Sequence, residues 1–464
     1  MARLFSVGEI LVATGGRAER LTGDGVRSIS IDSRDVPAGA LFVAIRGDRF
    51  DGHDFVRSAL DNGAVAALVS RERAAELGDR LIVVPDALEA LIDLARAGRA
   101  RSRAAIVAIT GSAGKTTTKE AMRVVLSAAG ETHASIRSFN NHWGVPLTLA
   151  RMPPSARFGV FEIGMNHPGE ITPLTRLVRP HVAVITTVAA AHLEFFNSVA
   201  DIARAKAEIF AGLEPGGTVV LNVDHQHVGL LIEQAMRFAP GAIVTYGFDA
   251  AADWRITQME TVGETTMAQV VHAGTTHRMT LQVKGRHMLA NAVAALVVAS
   301  VLGVEPAVAL PALAGFSAPE GRGLAIRLGD PARPLLLIDE SYNANVASMA
   351  AAMEVFAQQQ APGGKKVLVL GDMLELGEQG PALHRSLRDS VLATNADQIF
   401  LVGPGMTALA GALGTSRVAG HTQSVEDIDD RVLNSLAYGD AVMVKGSKGV
   451  RLAGLVKKIR AKFQ

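Results

Sequence analysis

The 464-residue chain contains no cysteine, which excludes disulfides, thiolate metal sites and cysteine nucleophiles. An excess of one charge is missing too. Lys and Arg number 46 against 45 Asp and Glu, a formal net charge of +1, so bulk charge would hold neither a nucleic acid nor an anionic membrane. The N-terminal residues carry charges and lack the apolar core of a secretory signal. The longest apolar run, Ala292 to Val304, is interrupted by Ser300 and Gly303 and is too short to span a bilayer; it reads as a buried helix. There are no internal repeats or low-complexity tracts, and no G-x-S-x-G elbow. These absences predict a soluble cytoplasmic protein with no nucleic-acid partner and no membrane insertion; small-molecule substrates and a monomeric state are further expectations.

What is present is sharper. Ile106-Val-Ala-Ile-Thr-Gly-Ser-Ala-Gly-Lys-Thr-Thr-Thr-Lys119 is an apolar strand that runs into a glycine turn and then a helix. Gly111 and Gly114 allow the backbone of Gly111, Ser112, Ala113 and Gly114 to turn tightly and aim N–H groups at phosphate oxygens. Lys115 adds a point charge, Thr116 a hydroxyl suited to Mg²⁺, and Thr117 extends the helix whose positive end faces the anion. A standard Walker loop would place glycine at position 109, where this chain has Ile109; the loop is the shorter T-G-x-x-G-K-T-T form. It predicts binding of a nucleoside triphosphate.

Length and pattern divide the chain into three α/β segments, in keeping with roughly 150 residues per domain. Residues 1–86 carry short strand-like runs (Ser28–Ile31, Leu41–Ile45, Ala66–Val69, Leu81–Val84) among glycines and charges. Residues 87–315 open with a helical stretch leading to the phosphate loop. Apolar strands at Gly159–Ile163, His181–Thr187 and Thr218–Asn222 then alternate with helical patterns, the signature of a mostly parallel sheet covered by helices. Asp253–Val283 is Thr-rich and alternating, which suggests antiparallel strands before a helix at Met288–Leu302. Residues 316–464 repeat the α/β pattern in a Rossmann-like form, with strands at Leu335–Asp339, Lys366–Leu370, Gln398–Val402 and Ala441–Val444. Ligands of such sheets bind beyond the strand C-terminal ends. Asp339-Glu-Ser-Tyr-Asn-Ala-Asn345, Gly371-Asp372 and Lys445-Gly-Ser-Lys448 sit there.

Three side chains in the central segment could serve a metal. Glu162 closes the strand Val160-Phe-Glu-Ile, where a carboxylate can face the phosphate loop as an Mg²⁺ ligand or be a buried, paired glutamate. His192, in Ala-Ala-Ala-His-Leu-Glu, is ambiguous alone. Lys206 is odder, because it lies four residues after Ile202 and three before Ile209, on the apolar stripe that continues through Phe210 and Leu213. Burial lowers a lysine pKa toward the neutral amine, and a neutral amine reacts with CO₂ to give a carbamate. The competing reading has the head snorkel to the domain edge.

Taken together in order, these strings resemble the Mur ligase family. The matching residues are Asp32-Ser-Arg34 with Asp51-Gly-His53, Thr110 to Glu120, and Asn140-Asn-His-Trp-Gly-Val-Pro-Leu147. Glu162-Ile-Gly-Met-Asn-His-Pro-Gly-Glu170, Ala205-Lys-Ala-Glu-Ile-Phe210 and Gly285-Arg-His-Met-Leu-Ala-Asn291 follow. Asp339 to Asn345 and Leu370-Gly-Asp-Met-Leu-Glu-Leu-Gly377 complete the set. The resemblance implies a UDP-sugar-binding N-terminal domain, a central ATPase-like domain and a C-terminal domain that closes over ATP and the acceptor. By similarity Lys115 holds the β/γ-phosphates, Thr116 and Glu162 one Mg²⁺, and His192 with a carbamylated Lys206 a second. Asn291 is similar to the adenine-contacting asparagine, Asp339 to the carboxylate at the ATP ribose, and Arg322 to an arginine reaching the phosphates on closure. Ser33 and Arg34 resemble the uridine-nucleotide site, Asn140 and Asn141 lie near the sugar or pyrophosphate, and Asn343 and Asn345 line the cleft.

Two departures stand out. Val346 replaces a proline usual in the family, which predicts a looser turn, and Lys448 stands where arginine is usual, beside Ser447 as a candidate acceptor residue.

The implied activity is ATP-dependent amide-bond formation. The Asn-Asn-His-Trp-Gly and Asp-Glu-Ser-Tyr-Asn-Ala-Asn strings favour D-alanyl-D-alanine as the acceptor and UDP-MurNAc-tripeptide as the donor. A carboxylate is a poor acyl donor, so ATP converts it to an acyl phosphate that the acceptor amine attacks. The accumulating negative charge calls for preorganised cations rather than a protein nucleophile. A sibling ligase, folylpolyglutamate synthetases included, or a P-loop ATPase coupling hydrolysis to a protein partner, stays open at this point, as does a non-catalytic UDP-sugar-binding protein.

Overall fold

A computed structural model describes residues 3–464 apart from Thr22, Arg137, Pro362 and Thr415. Its strands assemble into three main sheets, all within an α/β protein. The first holds, in spatial order, Arg17–Glu19, Leu81–Val84, Ala64–Ser70, Ala40–Val43 and Ser28–Ser30. Only the Arg17–Glu19 edge runs antiparallel. A separate two-stranded ribbon pairs Phe5–Ser6 with Gly25–Val26.

The second sheet has nine strands. At its parallel end lie Thr132–Ala134, Phe158–Glu162, Ala105–Thr110, Val182–Ile185, Thr218–Asn222 and Ala242–Gly247. The antiparallel set Trp254–Val262, Thr265–His272 and Thr275–Leu281 extends it, as the Thr-rich alternation predicts. Phe158–Glu162, Ala105–Thr110, Val182–Ile185 and Thr218–Asn222 are buried almost throughout because helices cover both faces, which is why they read as continuous apolar runs. The predicted buried helix spans Arg286–Val301 and is buried at every position from Met288 to Ala299.

In the third sheet the order is Leu324–Leu328, Leu335–Glu340, Ala441–Lys445, Lys366–Gly371, Gln398–Val402, Val418–Thr422. Separate apolar clusters pack on its two faces.

The helix Ala87–Arg101 is capped by Asp86, whose side chain accepts from the Glu89 amide. Its buried Leu91 and Leu94 join one continuous core containing Val43, Leu68 and Val84 of the first sheet and Ala108, Phe161 and Ile185 of the second. The first and second units therefore share their interior. The central and third units do not. The second central cluster ends at Ala318, and beyond it only Leu383 leans, half-buried, on the core below.

Lys206 lies on a helix that spans Val199–Ala207 and then tightens into a 3₁₀ turn at Glu208–Gly212. The single continuous stripe expected there is thus kinked. Gly212 comes so close to the Thr175 carbonyl that a Cβ would sit 2.1 Å from its oxygen. Lys206 nonetheless faces inward. It is 2% exposed, so its head does not snorkel to the edge.

Candidate active site

The glycine turn follows the strand Ala105–Thr110 and opens the helix Lys115–Ser127. Gly111 and Gly114 adopt positive φ, +151° and +83°, and both positions need a missing side chain. A Cβ on Gly111 would lie 2.0 Å from Thr186 Oγ1, and one on Gly114 2.5 Å from Asn291 Oδ1. The turn is strapped to the strand end next door. Ser112 Oγ donates to the Ala189 carbonyl at 3.0 Å, the Ser112 amide donates to Thr187 O at 2.9 Å, and Thr186 Oγ1 donates to Ala113 O at 2.6 Å. A loop held this way keeps its shape without a ligand.

The cations around it are not matched by acids. Lys115 Nζ curls onto the Gly111 carbonyl at 2.6 Å. Its pKa is lowered by burial first, with Glu162 opposing that and Arg322 adding to it. Lys206 is pushed well below the usual lysine range, by burial and then by the charge of Lys115. It makes no hydrogen bond or ion pair among the described residues. Thr116 Oγ1 donates to Glu162 Oε2 at 2.7 Å, while Asn140 Nδ2 donates to Glu162 Oε1 at 2.8 Å. Thr116 and Glu162 thus present the hard oxygen donors that suit Mg²⁺. Among the described residues no cluster of three or more His, Asp or Glu side chains could hold a metal.

His192 makes its side-chain contact with the third unit instead. It sits in the left-handed region (φ 57°) at the start of the 3₁₀ turn Leu193–Phe195, and its Nδ1 lies 2.5 Å from Glu375 Oε2 in the third unit. Other bonds cross the same seam. Arg322 donates to Ser138 Oγ at 3.2 Å and its guanidinium stacks 4.1 Å over the Tyr342 ring. Asn345 Nδ2 donates to the Ser112 carbonyl at 3.0 Å.

Asn345 also caps the helix Val346–Ala357 through a reciprocal box with Ser348. That box fixes the turn, so Val346 does not loosen it as the sequence suggests. Ser447 is equally committed. Its Oγ accepts from the Leu374 amide at 3.0 Å and faces the Ala344 carbonyl, whereas Lys448 has no polar partner among the described residues.

Two cavities meet at the loop. One, of about 470 Å³, is lined by Ser112, Ala113, Gly114, Lys115, Thr117, Asn291, Glu162, Arg322, Asn343 and Asn345. A larger trench, about 1530 Å³, shares Ser112, Lys115, Asn140, Asn343 and Asn345 and adds Asn141, His192, Glu375 and Lys448. Gly111, Thr116 and Lys206 stand behind the lining. Three expected residues lie elsewhere. Asp339 lines neither cavity, because its oxygens accept from the Gly321 amide (2.9 Å) and from Ser341 Oγ (2.6 Å); it shapes the turn that carries Arg322. Ser33 is buried with its carbonyl accepting from Asn62. Arg34 is exposed and folded back on Asp32 in a bidentate pair. Both are outside the two cavities.

The sequence reading passed over Tyr342, Ser138 and Glu375, although Tyr342 and Glu375 fall inside the quoted strings. It also passed over Phe248, whose ring lies 3.7 Å under the Arg286 guanidinium at the wall of the smaller cavity.

Known proteins with this arrangement can now be set beside it. Residues 25–99 match the model described as Mur ligase family, catalytic domain. Residues 109–299 match the Mur ligase middle domain, and residues 327–448 the Mur ligase, glutamate ligase domain. The UDP-N-acetylmuramoyl-tripeptide–D-alanyl-D-alanine ligase of Escherichia coli is 35% identical over 442 residues, 93% of each chain. The crystal structure of MurF from Acinetobacter baumannii superposes with a TM-score of 0.84 at 30% identity, covering 98% of this chain and 99% of that one. MurF ligase from Thermotoga maritima in complex with ADP gives 0.78 at 26% identity, covering 94% and 98%.

Proposed function

The chain belongs to the Mur ligase family, and from that premise we propose that it joins D-alanyl-D-alanine to UDP-MurNAc-tripeptide at the expense of ATP. The product is the UDP-MurNAc-pentapeptide used in cytoplasmic peptidoglycan precursor synthesis. One observation carries this reading. A single cavity at the phosphate loop is lined jointly by Lys115 and Asn291 of the central unit and by Arg322, Asn343 and Asn345 of the third, and it opens onto a trench large enough for a peptide-bearing substrate.

The chemistry follows from the residues. The tripeptide carboxylate attacks the γ-phosphorus, ADP departs, and the acyl phosphate keeps the activated carbonyl beside Lys115. The acceptor amine then adds to that carbonyl carbon, loses a proton and expels phosphate. Lys115 and Arg322 offset the charge that builds on the phosphoryl oxygens. Asn291, held against Gly114, fits the adenine end, and Asp339 acts through the turn that aims Arg322.

Mg²⁺, held by Thr116 and Glu162, would screen the repulsion between carboxylate and triphosphate. At Lys206 burial favours the neutral amine, whose reaction with CO₂ gives a carbamate and a proton and places an anion beside Lys115. Together with His192 that carbamate would serve a second Mg²⁺. A ¹³C signal of a carbamate, acquired from ¹³CO₂ and absent in Lys206→Met, checks this without any turnover. Ser33 and Arg34 are assigned to the uridine end, and Asn140 and Asn141 to the sugar or pyrophosphate.

The deciding assay is phosphate release. UDP-MurNAc-tripeptide with D-Ala-D-Ala should release phosphate, and single amino acids or glutamate-extended folates should not. Release independent of both the UDP substrate and the dipeptide would point to a plain ATPase and defeat the assignment. No helix of the described residues is long and apolar enough to cross a membrane.

A further inference from the structure

The contact between His192 and Glu375 is built from both sides of the seam. His192 and Glu375 are both in the left-handed region, φ 57° and 62°, a conformation that costs a non-glycine residue of order 1 kcal/mol and persists only where its surroundings impose it. The two face each other. His192 Nδ1 meets Glu375 Oε2 at 2.5 Å, and the Glu194 amide donates to the Glu375 carbonyl at 3.2 Å. Two residues on, Gly377 (φ 56°) presses so near the facing turn that a Cβ there would stand 3.2 Å from Glu194 Cα.

The loop that presents Glu375 is fixed from behind. The Met373 amide donates to His384 Nε2 and the Leu374 amide to Ser447 Oγ, each at 3.0 Å. The Ser447 amide returns to the Asp372 carbonyl at 3.0 Å. Among the described residues the Leu193–Phe195 turn is backed within the central unit by Leu193 and Phe196 in the apolar core, by its own 3₁₀ bonds and by the Phe195 ring, 4.3 Å from that of His167, while the His192 ring bonds only to Glu375.

We propose that Glu375 is a positioning residue that clasps His192 across the domain seam, so that the catalytic histidine is oriented only when the third unit is closed. The carboxylate accepts the Nδ1 proton, which leaves Nε2 as the free lone pair, and an outer carboxylate on a ligating histidine sets both ring orientation and tautomer. Opening of the third unit removes the carboxylate and the backbone bond together, so closure and assembly of the histidine become one event. The inference rests on the functional reading above for its catalytic consequence, while its structural half stands alone.

The test separates the two. Hydrogen exchange on the ligand-free protein reads the clasp directly. In Glu375→Ala the Leu193–Phe196 amides should exchange at least tenfold faster, with the Gln398–Val402 strand unchanged as proof of folding. Glu375→Gln, whose amide oxygen still accepts from Nδ1, should restore most of that protection. In turnover, Glu375→Ala should lower kcat by about 10- to 100-fold with little change in the KM for the dipeptide, and Glu375→Gln should recover part of it. Unchanged exchange at Leu193–Phe196 in Glu375→Ala, or a loss confined to KM, overturns the clasp. Absence of dipeptide-dependent phosphate release in the unsubstituted protein would instead fail the ligase reading and leave the exchange result standing.

Discussion

The two seams of this molecule are made of different materials. Between the first and central units the helix Ala87–Arg101 buries Leu91 and Leu94 in one apolar core that draws on both sheets. Between the central and third units the described contacts are mostly hydrogen bonds and ion pairs. They include His192 and the Glu194 amide with Glu375, Asn345 with Ser112, Arg322 with Ser138, Lys284 with Gln359, and Arg327 with Glu264. Apolar burial is lost all at once when a seam opens, whereas each polar contact can be exchanged for water at a small net cost. The first seam is therefore the costlier to open and the second the cheaper, and the cavity at the phosphate loop lies at the second.

The largest effect should come from breaking the apolar seam. Leu94 is fully buried, and Leu94→Ala should cost about 2–5 kcal/mol of stability. Because the core is shared, the first and central units should lose stability together in denaturant unfolding followed by probes in each sheet. Separate transitions, with only one unit shifted, would show that the seam does not couple them.

At the polar seam the expected losses are in function. Lys115→Ala should remove about 2–4 kcal/mol of transition-state stabilisation, roughly a 30- to 1000-fold loss in kcat/KM, with folding intact, since Lys115 leans only on a carbonyl of its own loop. Wild-type turnover in the purified variant would remove the phosphate loop from the mechanism.

Lys206 sharpens the contrast because it should trade the two quantities against each other. Its folded pKa lies well below the unfolded value near 10.5, so over that interval the unfolded chain binds the extra proton and stability rises with pH. The penalty is full below the folded pKa and gone above about 10.5. Lys206→Met should therefore be more stable than wild type at pH 7 by about 1 kcal/mol or more, lose that advantage as the pH climbs toward 10.5, and be nearly inactive. An alanine in its place should recover some activity with added short-chain carboxylic acids, which fill the vacated space. A pH-independent stability difference would mean that the amine is charged and solvated in the native state.

What the sequence disclosed follows from the range of each interaction. The glycine loop, the strand-end Glu162 and the inward face of Lys206 are local patterns, and the structure brings Thr116 onto Glu162 as a paired set. Central parallel strands announced themselves as unbroken apolar runs. Edge strands did not. Leu324–Leu328 and Val418–Thr422 lie at sheet borders with few fully buried residues, and Ala242–Gly247, though internal to its sheet, is mostly half-buried or exposed, so none of the three reads as an unbroken apolar run. The clasp joins residues 183 positions apart, and nothing in either local string announces a partner in the other. Asp339 shows the converse limit. Its residue type is right for a ribose hydroxyl, but two oxygens already filled by Gly321 and Ser341 are a property of the folded turn alone.

The smallest effect should come from the outer edge of the polar seam, far from the chemistry. There Glu264 Oε1 lies 3.1 Å from both Lys284 Nζ and Arg327 Nη2, and so ties the central hairpin to the first strand of the third unit. Glu264 is 39% exposed and Arg327 58%, and pairs of that kind contribute about 0–1 kcal/mol, screened by salt. Glu264→Gln should leave the overall stability within about 0.5 kcal/mol of wild type. If closed and open forms are close in energy, however, the same small loss shifts their ratio by up to about twofold. Small-angle scattering of the ligand-free variant should then show a more extended envelope than wild type, and raised ionic strength should move wild type the same way. A non-hydrolysable ATP analogue with UDP-tripeptide should return both to one compact profile, because the ligand's contacts with Asn291 and Arg322 exceed what the edge pair supplied. Identical profiles for variant and wild type at every salt concentration, with and without ligand, would show that the third unit does not move and that the polar seam is as fixed as the apolar one.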